Sequence, residues 1–157
     1  MIRKFKSSDR EKLLDLINRI DIFAVAEKQV AVELLDEVIK DPENDYYNIF
    51  VVEFEGEVVG YHCTGKRALT DGVFDMYWIA VDPSIQNKGF GKELLKHAET
   101  FVLENHGKLI LAETSSNDSY SQTRKFYKRN NYSILAEIKD FYKKEDHLII
   151  FGKYLKT

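Results

Sequence analysis

The segment Met76–Leu103, MYWIAVDPSIQNKGFGKELLKHAETFVL, constrains this chain more than any other, because it reads as strand, turn, glycine loop and helix in direct succession. The apolar, β-rich run Tyr77–Val81 stops at Asp82-Pro83, a pair that ends strands and starts turns. Behind the loop Gln86-Asn87-Lys88-Gly89-Phe90-Gly91-Lys92, residues Leu94, Leu95, Ala98, Phe101 and Val102 recur on one face of an amphipathic helix. Glycines at a helix mouth let backbone N–H groups approach a ligand with no Cβ in the way. The first-turn N–H groups lack partners inside the helix, and the helix dipole adds partial positive charge there. Such a mouth suits a phosphate or pyrophosphate.

Two nucleotide fingerprints do not fit the loop. A Walker loop needs GxxxxGK[ST], but Gly91-Lys92 is followed by Glu93, and Gln86 stands where the first glycine belongs. A Rossmann turn needs GxGxxG/A, but Gly89-Phe90-Gly91 is followed by Leu94. The spacing Gln86-x-x-Gly89-x-Gly91, behind a strand ending in Val81-Asp82-Pro83, instead resembles the acetyl-CoA signature of the GNAT superfamily of N-acetyltransferases. Gln86, Lys88, Gly89 and Gly91 match that pattern position by position.

The rest of the chain reads in the same order as that superfamily. Ile2–Phe5 is a short first strand, and Ser8-Asp9-Arg10-Glu11 has the form of a capping box ahead of a helix carrying Leu13, Leu16, Ile17 and Ile20. A second helix over Glu27–Ile39 ends at Asp41-Pro42-Glu43-Asn44. Asn48–Glu55 and Glu57–Thr64 flank Gly56 as a hairpin, and Gly72–Val81 is a third, longer strand. His106-Gly107 stops the central helix, with Gly107 expected as a left-handed cap. Lys108–Thr114 is a strand parallel to Gly72–Val81, the central helix being the crossover. Ser119–Arg129 is a shorter helix, and Tyr132–Ile138 and His147–Tyr154 close the chain as strands. The expected fold class is α/β: a single-domain acyl-CoA N-acyltransferase fold, a mixed central sheet with order β-α-α-β-β-β-α-β-α-β-β.

At 157 residues the chain suits one domain, here 1–157, and is long enough for a sizeable core. A net charge of −3 with interspersed signs gives no general pull toward nucleic acid or an anionic membrane. The lysines at 139, 143 and 144 are interleaved with acids and read as a solvated surface. No apolar run reaches the roughly 18–20 residues of a membrane span. The basic MIRKFKSSDREK start has no secretory apolar region, and the lone Cys63 cannot form an internal disulfide. A cytoplasmic location is therefore expected.

The resemblance implies acetyl-CoA as cosubstrate and a small-molecule or peptide amine as acceptor. It places the cofactor pyrophosphate on Gln86, Asn87, Lys88, Gly89, Phe90, Gly91 and Lys92. It places the pantetheine arm between the strands before and after the central helix, against Ile79, Ala80 and Val81. Tyr127, in Phe126-Tyr127, matches the superfamily's helix that brings a tyrosine hydroxyl near the thioester sulfur. A phenol of ordinary pKa about 10 can hand its proton to a thiolate leaving group. Many relatives follow this helix with Gly-Phe; here Asn131-Tyr132 stands there, and asparagine tolerates the left-handed turn.

Acetyl transfer needs a neutral amine, yet an amine of pKa about 10.4 is only about one part in 10³ neutral at pH 7. Asp75 matches the place where histone-type members carry a glutamate base, one methylene longer; Glu113 on the following strand is the competing carboxylate. No metal is expected, since His62, His97, His106, His147 and Cys63 lack ligand spacing. Tyr46-Tyr47 and Phe141-Tyr142 read first as packing. Acceptor surfaces in relatives imply roles for segments 21–29 and 140–147, and the resemblance also admits a homodimer through the last strands. A CoA-binding sensor without turnover would keep the glycine loop but need neither Tyr127 nor a base.

Overall fold

The computed structural model describes residues 1–156. Seven strands form one sheet in the order β1-β2-β3-β4-β5-β7-β6. The strands are β1 (Ile2–Lys4), β2 (Asn48–Phe54), β3 (Glu57–Lys66), β4 (Val73–Val81), β5 (Leu109–Ser115), β6 (Ser133–Lys143) and β7 (Asp146–Tyr154). The helices are α1 (Arg10–Asn18), α2 (Val25–Lys40), α3 (Phe90–Glu104) and α4 (Ser121–Arg129). The α/β class and the element order expected above are those observed. Only β4 and β5 pair in parallel; every other neighbour is antiparallel.

One face of the sheet packs on α1 and α2 through Leu13, Leu16, Ile17, Leu35, Val51, Tyr61, Cys63 and Ala80. The other packs on α3 and α4 through Phe74, Met76, Leu95, Ala98, Ile110, Ala112, Tyr127 and Phe151. His62 and Cys63 thus point to opposite faces, as period-two alternation requires. The same alternation fails along β4. Phe74 and Met76 face α3, but Trp78 and Ala80 face α1 and α2, while Ile79 returns to the α3 side. The cause is a bulge: Cys63 pairs with Trp78 and Thr64 with Met76, leaving Tyr77 as an extra residue in β4. A bulge bends its strand and increases local twist. The parallel pairing covers only Val73–Asp75 against Leu109–Leu111, and beyond the bulge β4 leaves β5.

Three local expectations change. The Ser8–Glu11 capping box does not form. A 3₁₀ turn at Ser7–Asp9 precedes α1 instead, and Asp9 accepts from the Lys6 N–H at 2.8 Å. Arg3 on β1 holds the same carboxylate with two bonds of 2.8 and 2.9 Å, so tertiary contact wins over the local motif. At the end of α3 it is His106 that adopts the left-handed conformation, with φ 62°. Gly107 is needed for space: a Cβ there would lie 2.2 Å from Val102 Cγ1 and 2.8 Å from Phe74. The last hairpin is longer than Tyr132–Ile138 and His147–Tyr154, because pairing runs to Lys143 and Asp146. Asn131, by contrast, takes the left-handed turn foreseen for it, with φ 68°.

Candidate active site

Where β4 and β5 part, a cleft of about 920 Å³ opens through the sheet. Met76–Val81 form one wall and Glu113–Ser115 the other. Phe23, Ala24, Ala26 and Glu27, from the α1–α2 junction, and Tyr142 of β6 close one end; Gln86, Thr123 and Tyr127 stand on the helical α3–α4 side. β4 is hydrogen-bonded to β3 along this length, so its opposite backbone edge has no strand to pair with. That edge is free for an extended, amide-rich ligand.

The loop beyond Gln86 is set by an ion pair. Asp82 ends β4, and its carboxylate accepts from the Ser84 N–H at 2.9 Å and the Ser84 hydroxyl at 2.8 Å. Arg19 of the α1 terminus completes the shell with bonds of 2.7 and 2.8 Å. Hydrogen bonding by Arg19 holds the Asp82 carboxyl well below the usual carboxylate range, despite the opposing effect of burial. A depressed carboxylate contributes stability above the ordinary unfolded value of 3.8 and loses it as pH falls toward the folded value. Urea midpoints compared at pH 7 and pH 3 should therefore fall less in Asp82→Asn than in the native chain. Because Arg19 is more than a third exposed, the difference is expected to be modest.

The two loop glycines have different reasons to be glycine. Gly89 caps α3 with φ +86°, and a Cβ on it would meet nothing within 4 Å, leaving the approach to the helix mouth open. Gly91 packs α3 on α4: its Cβ would lie 3.3 Å from Phe126 Cε1. Phe90 is an anchor, packed with Val52, Val59 and Leu94 and 5.2 Å from the Phe54 ring. Lys88 sits 5.2 Å over that same ring.

Of the residues singled out in the sequence, Ile79, Ala80, Val81, Gln86, Glu113 and Tyr127 line the cleft. Asn87 to Lys92 continue from Gln86 as the loop and first turn of α3, beyond the cleft lining. Tyr127 is 4 % exposed, stacked on Phe151 at 5.4 Å and tilted against Tyr132 at 5.5 Å. Burial pushes its phenol well above the ordinary tyrosine range, so it stays protonated. Asp75 is not in the cleft. It lies in a separate pocket of about 110 Å³ behind the bulge, where Arg67 binds it through Nε at 3.0 Å and Nη2 at 2.9 Å. Glu113 is half exposed, lines both spaces, and stands 3.9 Å from Arg67 Nη2.

Several partners had no local sequence signal. The Arg19–Asp82 and Arg67–Asp75 pairs are made by residues from different elements. Glu27 accepts from the Tyr120 hydroxyl and from the Ala24 N–H, fixing the start of α2 over the cleft. Ser115 donates to Asp146, tying β5 to β7 at the rim. Thr114 is 4 % exposed and lines the cleft, yet its buried hydroxyl has no hydrogen-bond partner among the described residues. His62 and His97 meet at 2.9 Å beneath Phe50, and burial lowers the His62 pKa to about 3. Among the described residues no cluster of three or more His, Cys, Asp or Glu could hold a metal ion. No described helix is long and apolar enough to cross a membrane.

A mixed sheet parted at its parallel pair, with a glycine loop opening the next helix, is the acyl-CoA N-acyltransferase fold. The family model described as the acetyltransferase (GNAT) domain matches residues 45–134. The S-(2-succino)cysteine N-acetyltransferase of Bacillus subtilis (strain 168) is 30% identical over 137 residues, covering 79% of this chain and 78% of that one. Among solved structures, a GNAT-family protein from Desulfovibrio desulfuricans superposes with a TM-score of 0.93 at 32% identity, covering 98% of each chain. The yncA protein of Salmonella typhimurium, solved with its cofactor acetyl-CoA, gives 0.76 at 15% identity, covering 100% of this chain and 94% of that one. The chain belongs to the GNAT acetyltransferase family and is an N-acetyltransferase.

Proposed function

We propose that this enzyme moves the acetyl group of acetyl-CoA to a primary amine within a ternary complex in the β4–β5 cleft. The observation that carries this is the free backbone edge of Met76–Val81, which leads to the glycine mouth of α3 at one end and passes Tyr127 and Glu113. The residues fit the cosubstrate. Extended amides can pair with the free β4 edge, and the open approach at Gly89 admits a pyrophosphate to the N–H groups of α3. Acetyl-CoA supplies an acetyl group already activated as a thioester.

The remaining steps belong to the protein. Glu113 accepts the proton of the incoming amine, directly or through a water. Backbone N–H groups near Ile79 and Val81 donate to the carbonyl oxygen as it gains charge, an effect worth about 3–4 kcal/mol where such donors are preorganised. Tyr127 donates its phenolic proton to the departing sulfur. Each proton thus has a stated origin and destination.

Acetyl-CoA is expected to raise the melting temperature, since a ligand bound only to the native state adds RT ln(1 + [L]/Kd). At about 100 Kd the gain is about 2.7 kcal/mol. Thiol release with an amine present completes the test, and ATP and NAD should give no shift. A melting curve unmoved by millimolar acetyl-CoA would overturn the proposal.

A further inference from the structure

We infer that the acceptor is an amine carrying a second cationic group, and not a carboxylated amino-acid derivative. This rests on the acetyltransferase reading of the cleft and adds the chemistry of its second substrate.

The charged groups lining the cleft are Glu27, Glu113, Asp146 and a single ammonium, Lys143. They come from four places: the first turn of α2, the end of β5, the start of β7 and the end of β6. Neutral hydroxyl donors hold two of the carboxylates, Tyr120 on Glu27 and Ser115 on Asp146. Such bonds orient a carboxylate but leave its full negative charge in place. Two guanidiniums flank the lining: Arg67 binds Asp75 and bridges Glu113 at 3.9 Å, and Arg124 donates to the carbonyls of Ser115 and Asn117 at 2.8 and 2.7 Å. The lining side chains themselves still present a net negative field, three carboxylates to one ammonium. Trp78 and Tyr142 add aromatic surface to the same lining, and an aromatic face attracts a cation. Thr114 is an independent sign that a ligand completes this space, its hydroxyl being buried there without a partner among the described residues.

That field does not serve the attacking nitrogen by itself. A carboxylate beside an ammonium favours its charged form, whereas attack requires the neutral one. A second cation on the acceptor resolves the conflict: it engages Glu27 or Asp146 while the reacting amine loses its proton at Glu113. The Bacillus subtilis relative is named for an acceptor whose chemistry includes three carboxylates. Placed here, those groups would face like charges, which costs affinity.

Thiol release from acetyl-CoA by the full chain, with three five-carbon acceptors, tests the inference: cadaverine, n-pentylamine and δ-aminovalerate. S-(2-succino)cysteine is the fourth. The kcat/KM for cadaverine is expected to exceed that for n-pentylamine at least about tenfold, and that for δ-aminovalerate about a hundredfold. Glu27→Gln keeps an oxygen for the Ala24 N–H and an NH2 from which the Tyr120 hydroxyl can accept, but removes the charge, so the cadaverine-to-pentylamine ratio should fall several-fold, mainly through KM. Equal or better turnover of either carboxylated acceptor would overturn the inference. So would absence of cadaverine turnover in a protein that acetyl-CoA stabilises. If acetyl-CoA gives no stabilisation, the acetyltransferase reading of the cleft fails as well.

Discussion

Tyr127→Phe is expected to lower kcat by about 10–10³-fold with little change in acetyl-CoA affinity, as follows from losing a general acid. The variant is a clean one, because the ring is what packs. Its stacking on Phe151 and its contacts with Phe126 and Tyr132 do not involve the hydroxyl. Among the described hydrogen bonds none uses the Tyr127 hydroxyl, so the proton is free for a ligand in the cleft. Burial makes the phenol a weaker acid than usual, but a thiolate formed in the same enclosed space is correspondingly more basic. Single-turnover kinetics separates the chemical step from binding. An unchanged rate there would mean that sulfur departs unassisted and that the tyrosine is a packing residue.

Glu113→Gln should depress kcat/KM by about 10²–10⁴-fold and remove the acidic limb of its pH profile. Asp75→Asn should leave that limb in place. Position favours Glu113 in the proposed mechanism: it lines the cleft, whereas Asp75 stands in the smaller pocket with Arg67 bound to both of its oxygens. Both oxygens of Asp75 are engaged by the guanidinium, and the residue lies outside the cleft lining. The reverse pattern, with the limb lost only in Asp75→Asn, would return the base to Asp75 and make Glu113 a bystander. If neither change removes the limb, the profile should follow the acceptor's own pKa and move when acceptors of different basicity are used.

The sequence carried most of the fold because its strongest signals are local. The helical period of α3, the turn at Asp82-Pro83 and the Gly56 hairpin each act over a few residues, and each survives in the structure. What it hid depends on distance. Arg19 and Asp82 are 63 positions apart, and nothing near either one announces the other. The resemblance that points to Asp75 as a base does not show that Arg67 binds both of its oxygens. Gly91 read as a phosphate glycine and Phe90 as part of a cofactor loop; contacts with Phe126 and Phe54 give both a packing reason. The bulge at Tyr77 was also illegible, because VFDMYWIAV is apolar almost throughout and an extra residue leaves no break in its pattern.

That extra residue has a kinetic consequence. Removing the bulge would slip Trp78–Val81 by one position against β3, exchanging the ladder partners of Gly60–Cys63 and turning Trp78 and Ala80 out of the apolar layer they fill. The slot is therefore written into the register of the folded chain. Under the proposed function, an incoming cosubstrate would find it open and spend no binding energy prying strands apart. Its capture can proceed at the pace of diffusion and orientation, without waiting for a rare open state.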